Sequence, residues 1–201
     1  MTNRSILQSI AKWNAIIKDG PALVTALGCG NRFSYTNTSY PETSDYIHAY
    51  PGIYKNDLFF FLIPQAYDKK EFKAQISAYT QPCKVFWTLT GSHTIPDVEA
   101  KARMDRWVDN YQTWTPKQAS DPIGMFKAFN IHADDFASDE CIGTLGLQIG
   151  GDEGIMTADM IIANQNDKTL IQFDDYATPV PPYSATAPEQ SFYLLEASKL
   201  V

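Results

Sequence analysis

Cys29 is the residue of this sequence that most readily suggests catalysis. It lies between Gly28 and Gly30, and Asn31 follows it. A thiolate is a strong nucleophile, and the two glycines would let a ligand approach the backbone closely. Such a nucleophile needs a base, and the histidines of the chain are His48, His93 and His132.

We take Cys29 and His93 as the candidate catalytic pair. His93 lies in Gly91-Ser92-His93-Thr94, just before the clearest helix of the sequence, and a free helix N-terminus can bind an anion. Two simpler explanations remain open. Thr94 and Ser92 are ordinary capping residues, and a tight turn that contains an unreactive thiol would have the same sequence around Cys29.

A second candidate site is a short acidic segment with one histidine. His132, Asp134 and Asp135 are residue types that ligate metals, and Asp139 and Glu140 follow shortly after. Their spacing matches neither the HExxH motif nor a calcium-binding EF-hand loop. The sequence therefore predicts a metal site at His132, Asp134 and Asp135, with a solvated acidic loop or a helix cap as the alternative.

Other motifs with a defined chemistry are missing from the sequence. The glycine-rich segment 150–154 lacks the Lys and Ser/Thr of a phosphate-binding loop and carries two acids that would repel phosphate. GxSxG, CxxC and kinase motifs do not occur. No cofactor can be assigned from the sequence.

The charge of the chain is negative and unevenly distributed. The net charge is −7, and the chain from residue 132 onwards contains 12 acidic and 2 basic residues. This distribution argues against binding to a phosphate backbone, which needs clustered Lys and Arg. It could suit a cation or a basic partner, although solubility is the ordinary explanation of net charge.

The length and composition of the chain predict its number of domains and its environment. A chain of 201 residues with 44% hydrophobic content is expected to form one globular domain over residues 1–201. No apolar run approaches the length of a membrane span, so we expect no membrane association. The three cysteines are unpatterned, which favours reduced thiols and a cytoplasmic location.

The element that should organise the fold is the apolar run at residues 58–63. It is short, aromatic and followed by Pro64, which is typical of a strand covered on both faces. A capped helix from Asp68, with Glu71 at the reciprocal capping position, and a strand at 84–90 follow. These three elements could form a βαβ unit, or the strands could be antiparallel.

The rest of the chain is divided by its periodicity. Helical spacing predicts helices at residues 5–18, with a stop at 20–21, and from Thr94 to Trp114. Residues 22–27 could be a strand or a helical turn, 115–122 a linker, and 123–130 a short helix. Alternating patterns predict a hairpin around residues 150–154, and further strands at 169–173 and 191–196. The prolines of 178–183 should leave the sheet.

The predicted fold class is α+β, with a mixed or mainly antiparallel sheet and two to three helices packed on one face. An α/β fold with one βαβ unit is the alternative. We expect a non-catalytic domain that binds a small molecule or a protein, and self-association is left open. The alternative function is a cysteine-dependent hydrolase or transferase that uses Cys29 and a histidine.

Overall fold

The computed structural model describes residues 1–87, 98–150, 154–166, 170–174, 177–185 and 187–201. Within these residues the helices are α1 (Asn3–Ile16), α2 (Gly20–Leu27), α3 (Ile76–Tyr79), α4 (Val98–Ser120) and α5 (Tyr193–Ser198). The strands are β1 (Arg32–Thr36), β2 (Tyr46–Tyr54), β3 (Asp57–Pro64), β4 (Gln81–Lys84), β5 (Ala128–His132), β6 (Glu140–Gly150), β7 (Ile155–Asn166), β8 (Leu170–Asp174) and β9 (Ala177–Val180). None of the described helices is both long and apolar enough to cross a lipid bilayer.

The strands build two sheets in which neighbouring strands are antiparallel. The four-stranded sheet has the order β1-β6-β7-β8, and the five-stranded sheet has the order β4-β3-β2-β5-β9. The predicted α+β class with antiparallel strands is confirmed, although the strands divide between two sheets. The alternative βαβ unit is wrong, because β3 and β4, which flank α3, pair in antiparallel register.

The apolar run at residues 58–63 forms most of β3, which lies between β4 and β2. Successive side chains of a strand point to opposite faces of the sheet. Leu58, Phe60 and Leu62 accordingly enter the core between the two sheets. Phe61 and Ile63 enter a second core on the outer face of the five-stranded sheet. The prediction of an internal strand covered on both faces is confirmed.

Helices α1 and α5 cover the outer face of the five-stranded sheet, and α4 packs against the four-stranded sheet. Ile10 of α1 and Leu194 of α5 belong to the buried cluster on the outer face of the five-stranded sheet. Met104 of α4 contacts Ile161 of β7, and Trp107, further along α4, enters the core between the sheets. The outer face of the five-stranded sheet, beside α1 and α5, carries the candidate site described below.

Pro21 and Pro116 both lie within helices, whereas the sequence predicted a stop and a linker at these places. Gly20-Pro21 begins α2 rather than stopping α1, because the Asp19 side chain accepts a hydrogen bond from the Ala22 N–H (3.0 Å) and caps the new helix. Pro116 lies inside α4, so the predicted linker at 115–122 is helical as far as Ser120. A Cβ on Gly20 would lie 3.0 Å from the Cα of Pro116, which shows how closely α2 approaches α4.

One short apolar run that was predicted to be helical leads into a strand, and one that was predicted to be a strand forms a helix. Residues 123–130, predicted to be helical, lead into β5, and residues 191–196, predicted to be a strand, include most of α5. Ala177–Val180 does not leave the sheet but pairs with β5 at its edge, a position where a proline is tolerated. Short runs lack a decisive period, so tertiary pairing determines their structure.

Two further boundaries differ from the prediction. The strand predicted at 84–90 begins earlier, as β4 at Gln81, and residues 88–90 lie outside the described residues, as does the predicted helix cap at Thr94. The helix predicted from Asp68 is replaced by 3-10 turns at Gln65–Tyr67 and Lys70–Phe72 and by the short α3. The hairpin around 150–154 is confirmed by the pairing of β6 with β7.

Gly52 of β2 leaves no room for a side chain. A Cβ there would lie 2.6 Å from Cε2 of Phe61 and 2.9 Å from the backbone carbonyl carbon of Ser9, because α1 crosses the strand at this point. We expect Gly52→Ala to lower the free energy of unfolding by about 2 kcal/mol. Urea denaturation measures it, with Gly150→Ala as the control, since no described residue lies within 4 Å of a Cβ there. Equal stability of the two variants would contradict the close packing of α1 on β2.

Candidate functional site

Cys29 lies beside the turn between β2 and β3. It follows the C-cap of α2, it is half-buried, and its Sγ lies 3.9 Å from the carbonyl oxygen of Asn56. Gly30 has a positive φ of 153°, and a Cβ there would lie 2.3 Å from the carbonyl carbon of Phe86. The glycine beside Cys29 therefore accommodates another backbone segment of the same chain.

The described histidines lie far from Cys29. His48 is six residues from the end of β2, which corresponds to about 20 Å along the strand. Its side chain enters the outer face of the sheet, whereas Cys29 packs against the core between the sheets. His132 pairs with Tyr46, still further along. Neither can be the base for Cys29, and the predicted partner His93 lies outside the described residues.

His132, Asp134 and Asp135 lie close in space but do not surround a common point. His132 Nδ1 is 3.5 Å from Oδ2 of Asp134, whose side chain is 92% exposed, whereas Asp135 is buried. Among the described residues, no three or more His, Cys, Asp or Glu side chains are positioned to hold a metal ion. The positions of these three residues therefore do not support the predicted metal site.

A buried polar cluster lies instead under α5. Its centre is the carboxylate of Asp68, which the sequence had suggested as a helix cap. His48 donates from Nδ1 to Asp68 Oδ2 (2.7 Å), and the hydroxyl of Tyr50 donates to the same oxygen. The backbone N–H of Leu194 donates to Oδ1 (3.0 Å). Three donors from two elements therefore satisfy one carboxylate.

The cluster is sealed from solvent. The side chains of His48 and Asp68 are completely buried, and the ring of Phe192 stacks on the ring of His48 with centroids 4.2 Å apart. Burial, followed by the neighbouring Asp68 carboxylate, raises the pKa of Tyr50 well above its ordinary value of 10. Tyr50 therefore stays a neutral donor. The arrangement holds α5 against the sheet and leaves no access for a substrate.

One nitrogen of this cluster stays unpaired. Nδ1 of His48 is bound to Asp68, whereas Nε2 of the same ring is buried and has no hydrogen-bond partner among the described residues. Asn130 lies directly opposite His48 on β5, and its Oδ1 is also buried and unpartnered. Directly opposite side chains leave the same face of the sheet about 5 Å apart at Cβ.

Thr178 of β9 lies opposite Asn130, so a polar row crosses three neighbouring strands. We call the cavity beside this row the acidic pocket. It has a volume of about 450 Å³, within the range of small-molecule sites. The lining residues are Tyr46, Asn130, His132, Asp134, Asp135, Asp174 and Thr178.

The acidic pocket contains all three residues of the predicted metal site and adds four that the sequence did not identify as a site. Asn130 stands out in hindsight, because it is an amide between Phe129 and Ile131 and is only 3% exposed. An amide inside a buried strand is the one signal that could have found it.

Asn164 of β7 holds the acidic side of the pocket together. Its Nδ2 donates to the carbonyl oxygen of Asp135 (2.5 Å) and to Oδ2 of Asp174 (2.9 Å). Its Oδ1 accepts a hydrogen bond from the N–H of Ser138 (3.1 Å). Asn164 is a fully buried strand residue. It fixes two acidic segments of the pocket at once.

A larger cleft of about 690 Å³ lies on the other side of Asp68. Its lining includes charges of both signs, such as Lys69, Lys70 and Glu71. Asp68 is among its lining residues, but the side chain is completely buried and the carboxylate already accepts three hydrogen bonds. The acidic pocket is the better candidate, because the buried amide oxygen of Asn130 there has no hydrogen-bond partner in the part of the chain that the structure describes.

Comparisons of the chain with protein-family models, with curated proteins and with solved structures found no match. The function must therefore be argued from the residues themselves.

Removal of the Tyr50 hydroxyl should destabilise the fold. We expect Tyr50→Phe to lower the free energy of unfolding by about 2 kcal/mol near neutral pH, because the buried Asp68 carboxylate loses a donor. The raised pKa of Tyr50 means that wild-type stability falls as the pH rises above 10, so the difference should shrink there. Urea unfolding across pH measures both effects. Tyr79→Phe is the control, since that hydroxyl donates to Gln75 at the surface. A wild-type-like Tyr50→Phe would contradict the role of the cluster.

Iodoacetamide should modify Cys29 alone in the folded protein. Burial raises the pKa of Cys83 to about 12 and also raises the pKa of Cys141. Peptide mass spectrometry after labelling at neutral pH, with urea-unfolded protein as the control, identifies the modified thiols. A Cys29 rate no higher than that of the unfolded chain would remove the catalytic hypothesis for Cys29. Rapid labelling of Cys83 would contradict its burial.

Proposed function

We propose that this protein is a non-catalytic binding domain that holds a small polar molecule in the acidic pocket. The observation that carries the proposal is the buried amide of Asn130, which lines the pocket while its Oδ1 has no partner among the described residues. A ligand that reaches this amide would supply the missing hydrogen bond.

The energetics of buried polar groups support this proposal. A buried donor or acceptor without a partner destabilises a protein by about 1–3 kcal/mol. Asn130 Oδ1 and His48 Nε2 are two such atoms at directly opposite positions of the sheet. An apolar residue at position 130 would avoid the loss. A binding role gives a reason for an amide there, since binding sites are where proteins accept lower stability.

The chemistry of the lining favours binding over catalysis. In the part of the chain that the structure describes, no Ser, Cys or Lys lines the acidic pocket. The lining offers amide, hydroxyl and carboxylate groups together with two aromatic rings, and such polar groups can fix the orientation of a ligand. The three cysteines are free, and two of them are buried, which agrees with the proposed cytoplasmic location.

Asn130→Leu tests the proposal, because it replaces the amide with an apolar group of similar size. We expect the variant to be about 1 kcal/mol more stable than wild type, since it removes a buried unpaired oxygen. We also expect it to lose the ligands that wild type binds. Thermal and urea unfolding measure stability. A ligand-observed NMR screen with fragments of positive, negative and neutral charge measures binding.

Asn14→Leu is the matched control. Asn14 of α1 also carries a buried Oδ1 that has no partner among the described residues, but it does not line the acidic pocket. This variant should keep every fragment hit. A purely structural role for Asn130 would instead make Asn130→Leu less stable and leave fragment binding unchanged. A wild-type protein that binds no fragment in a manner that depends on Asn130 would contradict the proposed function.

A further inference from the structure

We infer that the larger cleft beside Asp68 is a second binding site, which takes a short peptide whose ammonium and carboxylate ends are both free. We call this cavity the mixed-charge cleft. It has a volume of about 690 Å³, and its described lining residues come from three segments, at 42–45, 65–71 and 190–196. None of them lines the acidic pocket, so the inference is independent of the proposed function.

The three walls of the mixed-charge cleft are fastened to one another. The backbone N–H of Ala66 donates to Oγ of Ser44 (3.0 Å). The backbone N–H of Glu42 donates to the hydroxyl of Tyr67 (2.8 Å), so two hydrogen bonds join the first segment to the second. The buried carboxylate of Asp68 joins the second segment to α5. A site that is already organised loses less entropy when a ligand binds.

Several polar side chains that line the mixed-charge cleft are not used by the fold. Neither Lys69 nor Lys70 has a carboxylate oxygen within 4.0 Å in the part of the chain that the structure describes. The side chains of Gln65, Gln190 and Thr43 form no hydrogen bond with a described residue. Backbone groups and buried side chains hold the walls together, and these lining groups are available to a ligand.

The turn after β3 provides the positive wall of the cleft. Lys69 and Lys70 are adjacent and exposed, and no other described lining residue is Lys, Arg or His. Glu71 follows them, and the two lysines outnumber it, so this wall remains positive. Hydrogen bonds from an ammonium to a carboxylate are stronger than bonds between neutral groups. The carboxylate end of the peptide therefore binds at this wall.

The wall formed by α5 is negative and aromatic. Glu196 and Tyr193 both line the cleft, and Glu196 is exposed. Burial raises the pKa of Tyr193, and the carboxylates of Glu196 and Asp68 raise it further, so a negative potential reaches this ring. A carboxylate and the face of a tyrosine ring both attract an ammonium group. The ammonium end of the peptide therefore binds at this wall.

The separation of the charges and the amide groups favour a peptide over a single amino acid. The two lysines and Glu196 line one cavity without forming an ion pair, so their charged atoms lie more than 4.0 Å apart. The ends of an extended dipeptide are separated by roughly 7 Å, whereas both charges of an amino acid are attached to one Cα. The carboxamides of Gln65 and Gln190 donate and accept, which matches the N–H and C=O of a peptide bond.

Three forms of alanyl-alanine test the inference, namely the unmodified dipeptide, its C-terminal amide and its N-acetyl derivative. At neutral pH the dipeptide carries both charges, the amide only the positive one and the acetyl derivative only the negative one. Nitrogen-15 NMR titrations of the full chain at low salt give the affinities and the residues affected. We expect shifts in the backbone amides of residues 65–71 and 190–196. The dipeptide should bind about three- to fivefold more tightly than either derivative.

Charge variants assign each end of the dipeptide to a wall. A double variant, Lys69→Gln with Lys70→Gln, should remove the preference for the dipeptide over its amide, because the carboxylate end loses its partners. Lys73→Gln is the matched control, since Lys73 is an exposed lysine of the same part of the chain that does not line the cleft. It should keep the full preference.

Glu196→Gln makes the complementary test. It should remove most of the preference for the dipeptide over its N-acetyl derivative, because the ammonium end loses a carboxylate, and it should keep the preference over the amide. Glu189→Gln is its control, since Glu189 is exposed and lies just before α5 without lining the cleft. All four substituted side chains that are tested or used as controls beside them are exposed, so the fold is retained.

The outcomes separate this inference from the proposed function. Asn130→Leu should leave dipeptide binding unchanged. If the dipeptide is instead lost in Asn130→Leu and retained in the double lysine variant, it occupies the acidic pocket, and the mixed-charge cleft is not its site. Derivatives that bind as well as the dipeptide would overturn the inference, and so would a preference that survives both the double lysine variant and Glu196→Gln. A titration without shifts at residues 65–71 and 190–196 would also overturn it.

Discussion

The buried carboxylate of Asp68 is the constraint on which the outer layer of this protein depends. Moving an isolated carboxylate into a protein interior carries a penalty of several kcal/mol unless hydrogen bonds and charge satisfy it. Here the donors come from His48 and Tyr50 on β2 and from the Leu194 N–H at the start of α5. The carboxylate is satisfied only when the segment after β3 and the C-terminal helix are both docked on the sheet. Phe192 completes the arrangement by stacking on the imidazole of His48.

This constraint also divides the outer face of the five-stranded sheet. Phe61 and Val180 lie on the side that α1 and α5 cover. His48, Asn130 and Thr178 form the next row, and Tyr46 and His132, one step further along the strands, line the acidic pocket. Because Asp68 holds the imidazole by Nδ1, it leaves Nε2 unmatched, directly opposite the amide of Asn130. The boundary between the packed layer and the acidic pocket is thus a consequence of how one buried charge is satisfied.

The sequence predicts the parts of the fold whose signal is local. The apolar run of β3, the alternation of β6 and β7 and the helical stripe of α4 each fix the kind of element without reference to distant residues. Asp68 with Glu71 has the pattern of a helix cap, and nothing local indicates that this carboxylate is buried beneath α5. The candidate site was predicted only in part, as His132, Asp134 and Asp135. Asn130, Asn164 and Asp174 join it through cross-strand register, which depends on the pairing of segments far apart in the chain.

The structure shows where the acidic residues of the C-terminal part lie relative to one another. Net charge by itself concerns solubility, and 12 acidic residues spread over a surface would require no further explanation. Asp134, Asp135 and Asp174 are far apart in sequence or on different elements, yet they line one cavity. Asn164 is fully buried, and it donates both to the carboxylate of Asp174 and to the backbone of Asp135. Like charges repel, so folding opposes such convergence, and the hydrogen bonds of the buried Asn164 amide hold the two segments in place.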